Sequence, residues 1–276
     1  MFIALPLFFF ACSGDKKSVK NLLEKDNNLT SADYFYEAGR QHNFGHFDTA
    51  LQLYDAAIRK EDNAEFYYER GRVYFDTDKF DKALPDFNEA IKRDQSQAKY
   101  YHGRGLIYSK LKNWEKALPD IRRALELDSE NPLLNTLIGE IHLAQGDTIG
   151  AVMDFEYAIE ISPDNPNFQE ELSYVYYSMK KWDKAMEHCD KAIAINGKDA
   201  DFFYLKALIL SKKNIDAAAV QAVNHAISID PTNRNFYYLR GVLKLNIKDK
   251  SACDDLKKAA DAGDADAEGL RGKYCR

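Results

Sequence analysis

Small residues recur along this chain at a fixed interval of 34 positions, and alanines recur in two further series at the same interval. The first series is Gly71, Gly105, Gly139, Ser173, Ala207 and Gly241. The second is Ala83, Ala117, Ala151, Ala185 and Ala219, and the third is Ala90, Ala124, Ala158, Ala192 and Ala226. A fixed period of this length is typical of a stacked repeat array, so we interpret the chain as such an array.

Each period predicts two antiparallel helices, A and B, joined by a short turn. The repeats are expected to begin near residues 32, 64, 98, 132, 166, 200 and 234. A glycine inside a helix costs about 1 kcal/mol relative to alanine, so its recurrence indicates that the two helices must approach closely. We expect the Gly71-type residue to lie against the Ala83-type residue where helices A and B cross.

The second repeat carries Tyr67, Arg70, Gly71, Tyr74, Ala83, Phe87 and Ala90 at offsets that resemble the tetratricopeptide repeat (TPR) family. The resemblance covers about residues 32–262. It implies an all-α, right-handed α-solenoid of about seven helix-turn-helix repeats, with residues 263–276 as a C-terminal capping helix. Such a resemblance predicts a fold far better than a function.

Residues 1–11 form an apolar run that is too short to span a membrane and is followed by Cys12. This arrangement resembles a bacterial lipoprotein signal, which implies that residues 1–11 are removed and that Cys12 is lipidated. Residues 12–31 would then be a polar tether to the first repeat. The resemblance implies a location in the bacterial cell envelope, anchored to a membrane on its periplasmic or outer-membrane face. The alternative is the ordinary apolar N-terminus of a soluble protein.

Charge and motif content argue against several classes of function. The net charge of −6 and the pI of about 5.6 provide no basic surface, so we predict no nucleic-acid partner. No catalytic or phosphate-binding motif and no CxxC pair occurs in the sequence. His42 and His46 are four apart, but Gly45 between them argues against a metal site. We therefore predict no enzymatic activity, no cofactor and no metal.

The cysteines leave one question open. Cys253 and Cys275 would lie in the last repeat and at the end of the cap, where an oxidising compartment would allow a disulfide between them. Two unpaired thiols are the equal alternative. Cys189 takes the Phe87-type position of its repeat and is expected to be buried.

In TPR proteins the A helices line a concave groove, and the resemblance places aromatic and cationic residues there. The candidate groove residues are Tyr36, Arg40, Tyr68, Arg72, His102, Tyr174, Tyr177, Tyr204 and Tyr238. A row of tyrosines with interspersed arginine offers large contact area and polar tips to a peptide. The alternative for any single tyrosine is packing between neighbouring A helices. Tyr36 and Arg40 occupy positions at which some relatives clamp a C-terminal carboxylate with Lys and Asn, so that mode is not expected.

The sequence thus favours a non-enzymatic scaffold in the bacterial cell envelope that binds a segment of a partner protein in its Tyr/Arg groove. A structural subunit of a membrane-associated envelope complex, acting through its convex face or its ends, is the competing hypothesis.

Overall fold

The computed structural model describes residues 29–275, which form fifteen α-helices and no strand. The helices are α1 (Ser31–Asn43), α2 (Phe47–Lys60), α3 (Ala64–Asp76), α4 (Phe80–Arg93), α5 (Ala98–Lys110), α6 (Trp114–Leu127), α7 (Pro132–Ala144), α8 (Thr148–Ile161), α9 (Pro166–Ser178), α10 (Trp182–Ile195), α11 (Ala200–Lys212), α12 (Asp216–Ile229), α13 (Arg234–Asn246), α14 (Ala252–Asp261) and α15 (Ala265–Tyr274). The odd-numbered helices from α1 to α13 are the A helices, the even-numbered helices from α2 to α14 are the B helices, and α15 is the cap. The prediction of an all-α array of helix pairs is confirmed.

The A helices begin where the repeat period places them. Helix α1 begins one residue before the expected position, and the other six begin at the expected residue. Asparagine or aspartate caps most of these starts; the Asn63 side chain, for example, accepts a hydrogen bond from the backbone N–H of Glu65. The signal, Cys12 and nearly all of the tether lie outside the described residues.

The described residues form two compact units, 29–129 with α1–α6 and 130–275 with α7–α15. In the first unit the buried core includes Tyr34, Leu53 and Phe87. In the second unit it includes Phe155 and Phe236. Each core is built from the facing sides of A and B helices, which leaves the outer sides of both helix types to solvent.

At Gly71 and Gly105 the small residue of the A helix makes room for a large side chain of the B helix. A Cβ atom added to Gly71 would lie 3.1 Å from Cε1 of Phe87, and one added to Gly105 would lie 2.4 Å from Cδ1 of Ile121. Each neighbour is therefore the bulky residue sixteen positions further on. At Ser173 the expected alanine is in contact, because the Ser173 hydroxyl donates a 2.7 Å hydrogen bond to the Ala185 carbonyl.

Two residues after the end of each A helix, the turn to the B helix contains a residue in the left-handed backbone region, where glycine is favoured. Two of these residues are Gly45 and Gly146. The other five have side chains and φ between 55° and 59°: Asp78, Lys112, Lys180, Asn214 and Lys248. The turn geometry is thus kept in all seven helix pairs although the residue type varies.

A buried ion pair joins three helices of the first unit around Arg104. Its Nε and Nη2 atoms each lie 2.7 Å from a carboxylate oxygen of Asp120 on α6, and its Nη1 atom lies 2.6 Å from Oδ1 of Asn88 on α4. Asp120 is 7% exposed. Two other guanidinium groups make the same three-helix contact, with the partner sets Arg70, Asp86 and Asp55, and Arg240, Asp255 and Asn224. We call this arrangement the arginine clamp.

We expect Arg104→Ala to lower the free energy of unfolding by about 3 kcal/mol, because the buried carboxylate of Asp120 loses its cation. The double variant Arg104→Met/Asp120→Leu removes both charges and should recover most of that loss. Urea unfolding followed by circular dichroism measures both changes. Equal losses in the single and double variants would contradict this assignment.

Candidate partner-binding site

The candidate groove residues of the first unit lie on the outer side of the A helices, which we call the groove face. Residues four apart stand on the same side of a helix, so Tyr36 and Arg40 share this side on α1, and Tyr68 and Arg72 share it on α3. Tyr36 is 72% exposed, whereas Tyr68 is half-buried. His102 lies half-buried on α5. The groove face of this unit thus presents two Tyr–Arg pairs.

The two arginines of this face already have acidic partners. Nη1 of Arg40 lies 2.7 Å from the Glu37 carboxylate, and Nη1 of Arg72 lies 2.9 Å from that of Glu69. The Arg72 guanidinium also stands 5.9 Å from the ring centroid of Tyr68. Their charge is therefore balanced locally, while their donors stay near the surface.

Side chains on the groove face also hold neighbouring A helices together. Nζ of Lys99 on α5 lies 2.6 Å from the Glu65 carboxylate on α3, and the Tyr100 hydroxyl donates a 3.0 Å hydrogen bond to the same group. The rings of Tyr68 and Tyr100 have centroids 5.1 Å apart. Tyr68 therefore serves both as packing between helices and as part of the exposed face.

Histidine chemistry adds no metal site to the described part of the chain. Burial lowers the pKa of His102, so its imidazole is neutral at pH 7. Nε2 of His42 lies 2.7 Å from the Asp76 carboxylate. Among residues 29–275, no three His, Cys, Asp or Glu side chains are grouped so that they could hold a metal ion.

In the second unit the groove face carries the tyrosines of α9, α11 and α13. Tyr174 is 37% exposed and carries the most accessible ring of the set. Tyr204 packs with its centroid 5.3 Å from that of Phe236, and Tyr177 packs 5.2 Å from Trp182. Tyr238 packs partly against the cap region. Three of these four tyrosines thus combine packing with exposure.

Acidic side chains surround these tyrosines. The pKa of Glu170 is raised to about 7, first by burial and then by three neighbouring acids, Glu171, Asp199 and Asp201. Burial also raises the pKa of the Tyr174 hydroxyl, and Glu170 contributes to this effect. Within the described residues no cationic side chain forms an ion pair with Glu170. Glu170 therefore has acidic neighbours and no ion-pair partner among the described residues.

The end of the second unit is closed by the cap helix and a disulfide. Cys253 on α14 is bonded to Cys275, with their Cα atoms 5.6 Å apart. Ala267 of α15 is fully buried in a cluster with Tyr237 and Leu256. This bond fixes the residue after α15 to the last helix pair.

Cys189 is buried, as expected, and its thiol lies 3.3 Å from the Phe202 carbonyl oxygen. The clamp residues were missed, although the recurrent Arg-Gly pairs at 70–71, 104–105 and 240–241 could have indicated them. Of the helices between residues 29 and 275, none is both long and apolar enough to cross a membrane.

Comparisons with solved structures identify similar folds. A tetratricopeptide repeat protein from Parabacteroides merdae is 20% identical, with 88% of this chain and 97% of that chain covered and a TM-score of 0.69. PilF from Pseudomonas aeruginosa is 19% identical, with 76% and 97% covered and a TM-score of 0.64. YrrB, described as a TPR protein with an unusual peptide-binding site, is 20% identical, with 71% and 97% covered and a TM-score of 0.54. At this identity the likeness shows the fold alone.

Sequence comparisons point to the same family. No curated protein sequence matches the chain significantly. Four family models, all described as tetratricopeptide repeat, match residues 43–99, 98–131, 142–209 and 200–233. These matches together cover more than half of the chain and agree with its helix pairs. The chain therefore belongs to the tetratricopeptide repeat proteins.

Proposed function

We propose that this protein is a non-enzymatic scaffold of the bacterial cell envelope that binds a segment of a partner protein along its groove faces. Tetratricopeptide repeats generally bind protein or peptide partners, and the peptide-binding site in the description of YrrB supports the same role here. A lipid on Cys12 would fix the scaffold to a membrane.

The observation that carries this proposal is the set of partly exposed tyrosines on the A helices α1 and α3 of the first unit and α9, α11 and α13 of the second. Tyr36 and Tyr174 expose much of their rings, and Tyr68 and Tyr204 are held in place by neighbouring rings. A tyrosine ring that is already fixed loses little conformational entropy when a partner binds. Its hydroxyl can then bond to the polar groups of a bound peptide.

Charge on the second unit favours a partner segment that carries Lys or Arg. A cation placed opposite Glu170 would balance the repulsion from Glu171 and Asp201 and would keep the carboxylate ionised. Cation–π contact with Tyr174 would add to this attraction. On the first unit, Arg40 and Arg72 already have acidic partners, so that face selects less strongly by charge.

Two observations support the envelope location. The disulfide between Cys253 and Cys275 is of the kind that persists in oxidising compartments. The apolar run before Cys12 resembles a lipoprotein signal.

We expect Tyr68→Ala/Arg72→Ala to reduce partner capture from solubilised membranes by tenfold or more, because truncation of an aromatic hot spot costs about 2 kcal/mol. Tyr68 also packs on Tyr100, so a second variant, Tyr36→Ala/Tyr174→Ala, changes side chains with exposed rings. Quantitative mass spectrometry of the co-purified proteins gives the measurement.

The matched control is Glu187→Ala/Lys191→Ala, on the exposed side of α10, which should capture as much partner as the wild type. Circular dichroism verifies that every variant is folded. Full retention of the partner by both groove variants would refute groove binding.

The unbalanced charge of Glu170 can be tested without a partner. The pKa of Glu170 in the folded state, about 7, lies above the ordinary value of 4.5. Proton binding by Glu170 therefore stabilises the folded state fully below pH 4.5, and this stabilisation is lost as the pH rises through 7. Glu170→Gln should match the wild type near pH 4.5 and be more stable by about 1 kcal/mol near pH 8, after allowance for partial exposure. Urea unfolding at both pH values measures this difference. Glu160→Gln removes an exposed charge from the same unit and serves as the control; equal pH profiles for wild type and Glu170→Gln would contradict the assignment.

The anchor gives a separate expectation. Cys12→Ala should move the protein from the membrane fraction to the soluble fraction, because the residue that carries the lipid is lost. Fractionation and immunoblotting of cells that express each form measure this change. A wild-type protein that is already soluble would exclude the lipid anchor and leave the groove proposal intact.

A further inference from the structure

We propose that helix α8 carries a second docking surface, outside the groove faces, for an amphipathic α-helix of a partner protein whose apolar side is bordered by Lys or Arg. The surface consists of Ile149, Met153 and Tyr157, which we call the α8 stripe. These side chains are 70%, 65% and 48% exposed. They stand four residues apart and therefore form one row along the helix.

The α8 stripe lies outside the buried core of the second unit. The buried side of the same helix is formed by Ala151, Phe155 and Ala158, all fully buried. A helix that packs on a core needs one apolar side, and α8 has that side already. The second apolar row therefore requires a different explanation.

Equivalent positions in other repeats show that this surface is unusual within the chain itself. The corresponding residues are Asp81, Pro85 and Glu89 in α4, Glu115, Pro119 and Arg123 in α6, Asp183, Glu187 and Lys191 in α10, and Ala217, Gln221 and His225 in α12. Nearly all of them are exposed too, yet none is a large apolar residue. A solvent-facing row at these positions is thus normally polar, and its apolar character in α8 marks an interaction surface.

The geometry of the row favours a helix as the occupant. Side chains spaced by four residues form the ridge that fits between two ridges of a second helix. The backbone N–H and C=O groups along α8 are bonded within the helix, so a β-strand of a partner would find no backbone groups to pair with on this surface. Met153 at the centre adapts its shape readily to an apolar partner.

The charges beside the α8 stripe favour particular residues at the borders of the partner helix. Glu156 and Glu160 are exposed on the same side of α8 as the stripe, and the helix contains no Lys or Arg. A partner helix with Lys or Arg beside its apolar face would be attracted by these carboxylates. A second copy docked through its own α8 would place acid against acid, and an anionic lipid surface would be repelled.

The test uses the full-length chain and two fluorescent peptides that form amphipathic helices with the same leucine face. One peptide has lysines at the borders and the other has glutamates. We expect the lysine peptide to bind the wild type and the glutamate peptide to bind at least tenfold more weakly, as measured by fluorescence anisotropy.

Variants then locate the site. Ile149→Asp/Met153→Glu/Tyr157→Lys introduces the residues of α10 and should weaken lysine-peptide binding by tenfold or more, since the apolar contact is lost. Glu156→Lys/Glu160→Lys should reverse the preference toward the glutamate peptide. All five side chains are exposed, so both variants should fold.

A control variant tests whether binding is specific to α8. Asp183→Ala/Glu187→Ala/Lys191→Ala changes the matching positions of α10 and should leave peptide binding unchanged. Unchanged binding in the stripe variant would overturn the proposal. Self-association of the wild type that the stripe variant abolishes, seen by sedimentation, would assign the surface to a second copy instead. Binding of the wild type, but not the stripe variant, to anionic vesicles would assign it to lipid.

Discussion

The close crossing of helices A and B in each repeat is the constraint on which the other features of this protein depend. At Gly71 and Gly105 the backbone of the A helix approaches a bulky residue of the B helix so closely that even a Cβ atom would displace it. This approach turns the apolar sides of both helices toward each other and covers them. The outer side of each A helix is then free to carry tyrosine, and the outer side of each B helix is free to carry any residue that tolerates water.

Charged residues lie both in the interior between helices and on the outer sides of the helices, and their charges are balanced differently in the two places. Arg104 lies inside the first unit, where Asp120 and Asn88 satisfy its donors and where removal of one partner is costly. The equivalent position in α9 is Leu172, which is apolar and buried. Helix α9 contains no basic residue, so the negative charge of Glu170 has no counter-charge from its own helix. Glu170 thus lies on a helix that lacks the arginine clamp.

The repeat period was sufficient to predict the helix pairs, because a period of 34 residues constrains both the helix starts and the small crossing residues. The expectation that Tyr36 and Tyr174 line a groove came from the family resemblance rather than from the period, and both side chains are exposed. The period could not predict the clamp, since Arg104 meets Asp120 and Asn88 only after three helices have packed. The raised pKa of Glu170 depends on burial and on neighbouring acids, which spacing along the chain does not report. Nor did a family pattern predict the lysines that hold the left-handed turns.

The two proposed surfaces differ in how freely their chemistry can change. Tyr68 and Tyr204 on the groove faces also pack against rings of the next A helix, so a change at either position alters the stacking of repeats as well as the exposed surface. Met153 on α8 is mostly exposed and lies outside the buried core of its unit. Specificity at the groove should therefore depend most on residues without a packing role, such as Tyr36 and the acids beside Tyr174. A B helix can acquire or lose a docking surface through a few exposed substitutions while the array around it stays the same.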